Sequence, residues 1–380
     1  MSETIGVGLL GTGFIGMFHS YTLRNVEIVK RRPAVAPRLV SAVDLDPATR
    51  GRCRERFGWE EEGDDWRRLV ADPRIGLFVN AAPNDLHLEP TAIAAANGKH
   101  VFCEKPLAPD ADRAFRIWQA AAKAGVVHQC AFIHRFVPAL RLAREIIQAG
   151  EIGEVLQFRS SYLMSTALEP DQPMSWRFDR VVAGTGAIGD LGSHHIDQAR
   201  YLVGDIAEVS ALGKNAVPVR DGKAVEVDDA FVSVVRFANG AIGSIEGSRI
   251  ACGYGHTGRI QVDGTKGSLK FDVERLNELE IADGVGAGFR TIQAIRRGHP
   301  FSEFWWDPGI QGSHPIGWIE CFVHQMHHML SAIAGETPVA PLAATFEDGY
   351  RTAEICDAML RSWRSGRREP VTYRTLDQDG

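Results

Sequence analysis

The chain has 380 residues, of which 44% are hydrophobic and 24% charged, and its formal net charge is −6. Two domains are expected at this length, and the acidic balance without a basic stripe argues against nucleic acid as a main partner. No apolar run approaches the ~20 residues of a membrane span, and the N-terminus lacks a signal-peptide layout. The six cysteines form no CxxC pair, which favours reduced thiols in the cytoplasm over a zinc site.

The first predicted strand, residues 7–10, leads into the glycine pattern Gly11-x-Gly13-x-x-Gly16. In a dinucleotide-binding turn, the first glycine permits the bend, the second lets a pyrophosphate approach the backbone, and the third lets helix and strand pack closely. The following helix contributes free N–H groups and a positive dipole end. A plain structural turn is the alternative. The residues predicted to bind the cofactor here are Gly11, Gly13, Phe14, Ile15 and Gly16.

The second predicted strand covers residues 38–43 and is followed by Asp44. A carboxylate at this position accepts hydrogen bonds from the adenosine ribose and repels a 2′-phosphate, so Asp44 favours NAD over NADP. Alternatively, or in addition, Asp44 caps the helix that begins at Pro47. A long loop precedes the strand, and its basic residues are the argument for NADP: they are Lys30, Arg31 and Arg32.

The next segments alternate between strand and helix, with strands predicted at 75–80, 99–103 and 126–132. This rhythm is typical of a doubly wound parallel sheet, in which ligands bind at the carboxyl ends of the strands. The sequence therefore predicts an α/β domain over residues 1–133. The strand-end residues assigned to its cofactor site are Pro83, Asn84, Glu104 and Lys105.

The pattern changes after residue 133. A helix is predicted at 138–150 and alternating strands at 154–162, 229–237 and 241–248, the last two joined by the hairpin turn Asn239-Gly240. Another strand pair is predicted at 258–263 and 267–273, and helices at 316–334 and 345–365. The second domain, residues 134–380, is therefore predicted to be α+β, with an open and mainly antiparallel sheet.

Two stretches carry candidate chemistry. Lys105 stands at a strand end, where its ammonium can hold a substrate hydroxyl and favour the alkoxide, with Glu104 orienting the ammonium; a solvated ion pair is the alternative. Asp190 and His194 are four residues apart, on one face of a predicted helical start. Histidine at that spacing suits a general base, with the aspartate as a polar partner. No third ligand completes a metal set with this pair, so no metal is expected.

The remaining candidates have two interpretations each. His324, His327 and His328 have metal-binding spacing but lie among apolar residues, which favours a domain or subunit interface. His314 is a candidate for the substrate cleft. Aromatic faces stack on sugar rings and arginine binds polar groups, so substrate contact is one interpretation of four further side chains, and packing is the other. These are Trp176, Arg177, Trp305 and Trp306.

Taken together, the motifs resemble those of the Gfo/Idh/MocA oxidoreductases. The resemblance is carried by the glycine turn, by Pro83-Asn84-x-x-His87, by residues 98–106 ending in Glu-Lys-Pro, and by Gly189-Asp-Leu-Gly-Ser-His194. It implies an N-terminal Rossmann domain with His87 in its cofactor site, a C-terminal α+β domain and a homodimer or homotetramer built on the open sheet. It also implies a catalytic set of Lys105, Asp190 and His194, and it makes Arg135 a candidate for substrate contact, because the segment 134–136 differs from many members.

By this resemblance the chain is an NAD-dependent dehydrogenase that oxidises a secondary hydroxyl of a sugar, a glycoside, an anhydrosugar or a cyclitol. NADP is the less favoured cofactor. An NAD-assisted hydrolase or lyase that cleaves glycosides on the same fold is the alternative. A third reading, a protein that only senses NAD, does not explain why Lys105, Asp190 and His194 occur together.

Overall fold

The computed structural model describes residues 3–29, 31–305 and 314–376. Its N-terminal part is organised on a six-stranded sheet in which every pair of neighbours is parallel. The spatial order is β3-β2-β1-β4-β5-β6, the order of a doubly wound dinucleotide-binding fold. The strands are β1 Glu3–Leu10, β2 Val35–Val43, β3 Glu61–Gly63, β4 Leu77–Asn80, β5 His100–Cys103 and β6 His128–Cys130.

Helices cover both faces of this sheet, and short polar caps define several of their ends. Asp46, Asp65 and Asp110 each accept a backbone N–H at a helix start, whereas Gly58 and Gly125 end helices in the left-handed conformation that glycine adopts without strain. Strands β4 and β5 are buried almost throughout. The helices are α1 Phe14–Asn25, α2 Pro47–Phe57, α3 Trp66–Ala71, α4 Leu88–Ala96 and α5 Ala111–Ala124.

The C-terminal part is built on a nine-stranded sheet of order β16-β15-β14-β13-β7-β12-β11-β8-β17. Only β7 and β12 pair in parallel, so the expected open, mainly antiparallel sheet is confirmed. The strands are β7 Val155–Leu163, β8 Ile206–Lys214, β11 Ala230–Phe237, β12 Ile242–Ser248, β13 Thr257–Gly264, β14 Ser268–Asp272, β15 Glu278–Ala282, β16 Arg290–Gln293 and β17 Glu369–Pro370, and a separate hairpin comprises β9 Val219–Arg220 and β10 Lys223–Ala224.

Burial alternates strictly along β11, so one face of this sheet packs on helices and the other is open. Two long helices pack on the N-terminal part: α10 packs on α1 and β2, and α11 packs on α5 and also on β8 of the nine-stranded sheet. The helices of this part are α6 Pro138–Gln148, α7 Arg180–Ala183, α8 Ser193–Leu202, α9 Ser302–Trp305, α10 Trp318–Ile333 and α11 Phe346–Ser365. In the described residues, no helix is long and apolar enough to cross a membrane.

The histidines of α10 lie at the contact between the two parts, as the interface interpretation predicts. His327 contacts the carbonyl of Arg31 at 2.6 Å, and His328 contacts that of Val339 at 2.9 Å. His324 accepts a 2.7 Å hydrogen bond from the indole of Trp305. Trp305 is half-buried and held against α10, which favours the packing interpretation; Trp306 lies outside the described residues.

The basic loop before β2 is at the wrong edge of the sheet to hold a 2′-phosphate. Helix α1 starts at the carboxyl edge, beside the glycine turn, and runs back to the amino edge, where β2 begins at Val35. Arg31 and Arg32 lie between these two points, and Lys30 is outside the described residues. The argument for NADP from the two arginines therefore fails.

Candidate active site

The glycine turn has the geometry that its spacing predicts. Gly11 has a φ of 89° and donates its N–H to Val43 at 2.8 Å, which ties the turn to the end of β2. A Cβ on Gly16 would lie 2.0 Å from the carbonyl oxygen of Gly11, so only glycine permits this approach of helix and strand. A Cβ on Gly13 would meet nothing within 4 Å. The backbone of Gly13 and the uncapped start of α1 therefore face open space that a pyrophosphate fits.

Asp44 contacts the glycine turn through its side chain. Its Oδ2 accepts the backbone N–H of Thr12 at 2.7 Å, and its Oδ1 accepts that of Asp46 at 3.0 Å. The cap of α2 is Asp46, which accepts from Ala48 at 2.9 Å, so the interpretation of Asp44 as the helix cap is wrong. The carboxylate thus stands at the carboxyl edge beside the phosphate turn, where it suits a ribose diol.

The strand-end loop after β4 is fixed by internal hydrogen bonds. His87 is completely buried, and its ring nitrogens lie 3.0 Å from the carbonyl oxygens of Pro106 and Ala82. It joins two strand-end loops and has no exposed surface with which to contact a cofactor, which corrects its assignment to the cofactor site. Asn84 donates to the carbonyl of Ala183 at 3.0 Å and so ties this loop to the C-terminal part. Pro83 precedes it in the same loop and is half-buried.

Glu104 and Lys105 follow β5 but act separately. Glu104 Oε1 lies 2.7 Å from His19 Nε2 on α1, and Glu104 Oε2 accepts the backbone N–H of Lys105 at 3.1 Å. The expectation that Glu104 orients the ammonium is therefore wrong. The carboxylate instead fixes the start of the loop against the helix that follows the glycine turn.

The ammonium of Lys105 contacts Asp190. Nζ donates to Asp190 Oδ1 at 3.1 Å and to the carbonyl of the same residue at 3.0 Å. The aspartate side chain is 36% exposed, so the pair opens to the cleft. Burial alone would raise the pKa of Asp190, but the positive charges of Lys105, Arg249 and Arg177 outweigh it and hold the pKa below its ordinary value. Asp190 is thus an acceptor at neutral pH.

The turn that carries Asp190 is a π-helical turn, Ile188–Gly192, that leads directly into α8. The simple helical start expected from the spacing is therefore replaced by a wider turn, of a kind that often occurs at functional sites. Asp228 stabilises the start of this turn, because its carboxylate accepts the backbone N–H groups of Gly186 at 2.8 Å and Ile188 at 2.7 Å. A Cβ on Gly186 would lie 1.7 Å from the carbonyl oxygen of Asp228.

His194 occupies the first turn of α8 and is 7% exposed. Burial, together with the positive charge of Lys105, holds the pKa of His194 well below its ordinary value. The imidazole is therefore neutral at neutral pH and can accept a proton. Its Nδ1 lies 3.1 Å from Nδ1 of His134, and its Nε2 makes no hydrogen bond within the described ranges.

Arg135 does not line the cleft, so its assignment to substrate contact is wrong. Its side chain is 4% exposed and forms ion pairs with Asp197 and Asp348. Arg177 is exposed, its guanidinium lies 4.5 Å from the ring of Trp176, and its charge acts on Asp190. The structure thus leaves Trp176 and Arg177 as candidates for substrate contact. His314 is exposed at the start of the segment that leads to α10.

Three residues near His194 were not assigned to the site from the sequence: His134, Tyr162 and His256. His134 contacts His194 directly, and Tyr162 lies between His194 and His256, with its hydroxyl 3.3 Å from His256 Nδ1. For His134 and Tyr162, the sequence contains a pattern that could have identified them. His134 follows the sixth strand at the same carboxyl edge as the other site residues, and the alternation along β7 turns Tyr162 inward. Among the residues that the structure describes, no group of three or more potential ligands could hold a metal ion.

Comparison with family models gives two matches that together cover most of the chain. Residues 5–132 match the model of the oxidoreductase family with an NAD-binding Rossmann fold, and residues 140–270 match the GFO/IDH/MocA C-terminal domain. The first match agrees with the glycine turn and Asp44 in assigning an NAD site to the six-stranded sheet.

Individual proteins agree with the family models. Levoglucosan dehydrogenase of Pseudarthrobacter phenanthrenivorans is 37% identical, over 95% of this chain and 96% of its own length. Myo-inositol 2-dehydrogenase of Thermotoga maritima is 31% identical, over 74% and 78%. The solved structure of a levoglucosan dehydrogenase in complex with NADH and levoglucosan superimposes with a TM-score of 0.92 at 36% identity, covering 97% of this chain and 100% of that one. The chain therefore belongs to the GFO/IDH/MocA family of NAD-binding oxidoreductases.

Proposed function

We propose that the chain is an NAD-dependent dehydrogenase that oxidises a secondary hydroxyl of a pyranose-type sugar, including glycosides and anhydrosugars, or of a cyclitol. Residues 1–133 bind the cofactor, and residues 134–380 hold the substrate. The observation that carries this proposal is the convergence of Lys105, Asp190 and the neutral His194 at the carboxyl edge of the six-stranded sheet. Relatives that are named levoglucosan dehydrogenase and inositol dehydrogenase support this substrate class.

The cofactor site fits NAD better than NADP. The open space at Gly13 and the free N-terminus of α1 suit the pyrophosphate, and Asp44 suits a ribose diol but would repel a 2′-phosphate. When NAD is bound, it supplies the hydride acceptor for the oxidised carbon. The residues proposed for this cradle are Gly11, Gly13, Phe14, Ile15, Gly16, Asp44, Pro83 and Asn84, with Glu104 and Lys105 after β5.

The roles of the three polar residues follow from their protonation. The Lys105 ammonium donates to the reacting hydroxyl oxygen and stabilises the negative charge that develops on it. His194, neutral because burial and Lys105 lower its pKa, accepts the hydroxyl proton. Asp190 holds the ammonium in place at 3.1 Å, and its exposed oxygen accepts a neighbouring substrate hydroxyl.

The outer part of the cleft suits a neutral ring. Trp176 offers an aromatic face, and Arg177 and His314 offer polar groups, so we assign substrate contact to these three side chains as well. The open face of the nine-stranded sheet carries exposed apolar residues of neighbouring strands, among them Leu212, Val232 and Val234. We propose that this face joins copies of the chain in a homodimer or homotetramer. The free cysteines suit the reducing cytoplasm.

The experiment is to follow the reduction of NAD and NADP at the nicotinamide absorbance, across a panel of pyranoses, anhydrosugars, glycosides and inositols. Reduction of NAD alone by one or more of these polyols is the expected result, and light scattering of the same sample gives the number of subunits. If purified protein retains NAD, forms no net NADH and instead cleaves a glycoside, the dehydrogenase proposal fails in favour of NAD-assisted glycoside cleavage.

A further inference from the structure

The base of the proposed reaction is in contact with a second histidine. His134, in the 3₁₀ turn Ile133–Phe136, places its Nδ1 3.1 Å from Nδ1 of His194. The two rings are nearly perpendicular, at 85°, with centroids 4.5 Å apart. A hydrogen bond between two neutral imidazoles needs a proton on one nitrogen and a lone pair on the other. The tautomer of one ring therefore determines that of the other.

The backbone around His134 is fixed on both sides of this contact. The next residue, Arg135, forms two hydrogen bonds with Asp197 on the same helix as His194. His324 accepts from the Trp305 indole through Nε2, so its Nδ1 carries the proton and donates to the carbonyl of Phe136 at 3.2 Å. The turn is thus held against α8 and α10, and the two imidazoles have little freedom to separate.

One assignment of the protons is compatible with a base at His194. Its Nδ1 is occupied by His134, so Nε2 is the nitrogen left to accept a proton from a substrate. A neutral imidazole carries one proton, which must then be on Nδ1. We propose that His134 is a positioning residue that accepts the Nδ1–H hydrogen bond of His194 and thereby holds Nε2 of His194 as the proton acceptor. This proposal rests on the proposed function.

The chemical identity of the acceptor matters, because several basic groups face His194. Lys105, His134, His195 and His256 all do so, and they lower its pKa together with burial. A neutral acceptor at His134 orients the ring without adding a negative charge that would hold the transferred proton. His194 therefore keeps both its orientation and its ability to release the proton after turnover.

Two substitutions at residue 134 separate orientation from simple packing. His134→Leu removes the acceptor, whereas His134→Asn presents a carbonyl oxygen near the position of Nδ1. We expect His134→Leu to lower kcat by about 10- to 100-fold with little change in the KM for NAD, and His134→Asn to restore most of kcat. The matched control is His100→Leu, because His100 Nδ1 also accepts a hydrogen bond, from the backbone N–H of Val127 at 3.1 Å, but at the opposite edge of the sheet. Its kcat should be unchanged.

The tautomer is measured directly by ¹⁵N NMR of cofactor-free protein with labelled histidines, assigned through His194→Asn and His134→Leu. The expected result is an Nδ1–H tautomer for His194 and an Nε2–H tautomer for His134 in the wild type, with a mixed signal for His194 in His134→Leu. An Nε2–H tautomer of His194 in the wild type, or equal losses of kcat in the Leu and Asn variants, overturns the proposal. If the expected tautomers occur but no polyol is oxidised, the tautomer assignment is supported and the proposed function fails.

Discussion

Arg135 and Asp197 form a buried ion pair with two hydrogen bonds, Nε to Oδ2 at 2.9 Å and Nη2 to Oδ1 at 2.5 Å. Their side chains are 4% and 1% exposed. Asp197 lies three residues after His194 on α8, and Arg135 follows His134 in the turn after β6. The pair therefore joins the helix that carries the base to the end of the six-stranded sheet.

Removing Arg135 should cost much of the stability of the fold. Arg135→Met leaves the buried carboxylates of Asp197 and Asp348 without their shared partner, so we expect the free energy of unfolding to fall by about 3–5 kcal/mol. Chemical denaturation measures it. Arg67→Met is the control, because the ion pair of Arg67 with Glu89 is exposed on both sides and should contribute less than about 1 kcal/mol. Equal losses in the two variants would contradict the structural role of Arg135.

The rule that ligands bind at the carboxyl ends of parallel strands predicted most of the site, because all these ends lie at one edge of the sheet. The glycine turn, Asp44, Asn84 and Lys105 lie at that edge as expected. The rule cannot tell which strand-end side chains face the cleft and which are buried. Arg135 follows β6 in the same way as Lys105 follows β5, yet it turns into the core, because two carboxylates from distant helices neutralise it there.

The other features of the site that the sequence did not predict depend on contacts between residues that are distant in the sequence. Glu104 is adjacent to Lys105, but its carboxylate contacts His19, 85 residues earlier. The π-helical turn at Asp190 depends on Asp228, which supplies the acceptors for two backbone N–H groups. Neither contact leaves a periodic pattern in the sequence, so periodicity and spacing predict the elements but not these side-chain pairs.

Lys105→Met should lower kcat strongly while cofactor binding persists. The variant removes the donor to the reacting oxygen and the cation nearest Asp190, so we expect kcat to fall by about 10²–10³-fold. Steady-state NADH formation measures kcat, and fluorescence titration with NADH measures cofactor binding. Lys123→Met, at an exposed position in the last turn of α5, should leave both unchanged. A variant at Lys105 with more than about a tenth of wild-type kcat would remove this residue from the catalytic set.

Asp44→Asn should weaken the preference for NAD. The substitution removes the charge that repels a 2′-phosphate and one carboxylate acceptor, so the ratio of kcat/KM for NADP to that for NAD should rise by about tenfold. Asp46→Asn is the matched control two residues later: asparagine also caps helices well, so both stability and the cofactor ratio should be nearly unchanged. An unaltered ratio in Asp44→Asn would mean that cofactor choice is made elsewhere.

Asp357 makes the stability of the fold depend on pH. Its Oδ2 accepts the backbone N–H of Ala111 at 2.9 Å, and burial raises its pKa to about 6, from an ordinary value of 3.8. Because the folded state holds the proton more tightly than the unfolded state, the contribution of Asp357 to stability is fully present below about pH 4 and is lost as the pH rises to about 6.

Asp357→Asn tests this dependence, because asparagine is neutral at every pH and can still accept from Ala111. The full shift corresponds to about 3 kcal/mol, so we expect the variant to exceed the wild type by about 1–3 kcal/mol in unfolding free energy at pH 8 and to equal it near pH 4. Urea denaturation at the two pH values measures both. Asp112→Asn, at an exposed carboxylate in the first turn of α5, should show no such pH-dependent gain. A difference that is the same at both pH values would mean that the pKa of Asp357 is equal in the folded and unfolded states, so that burial does not raise it.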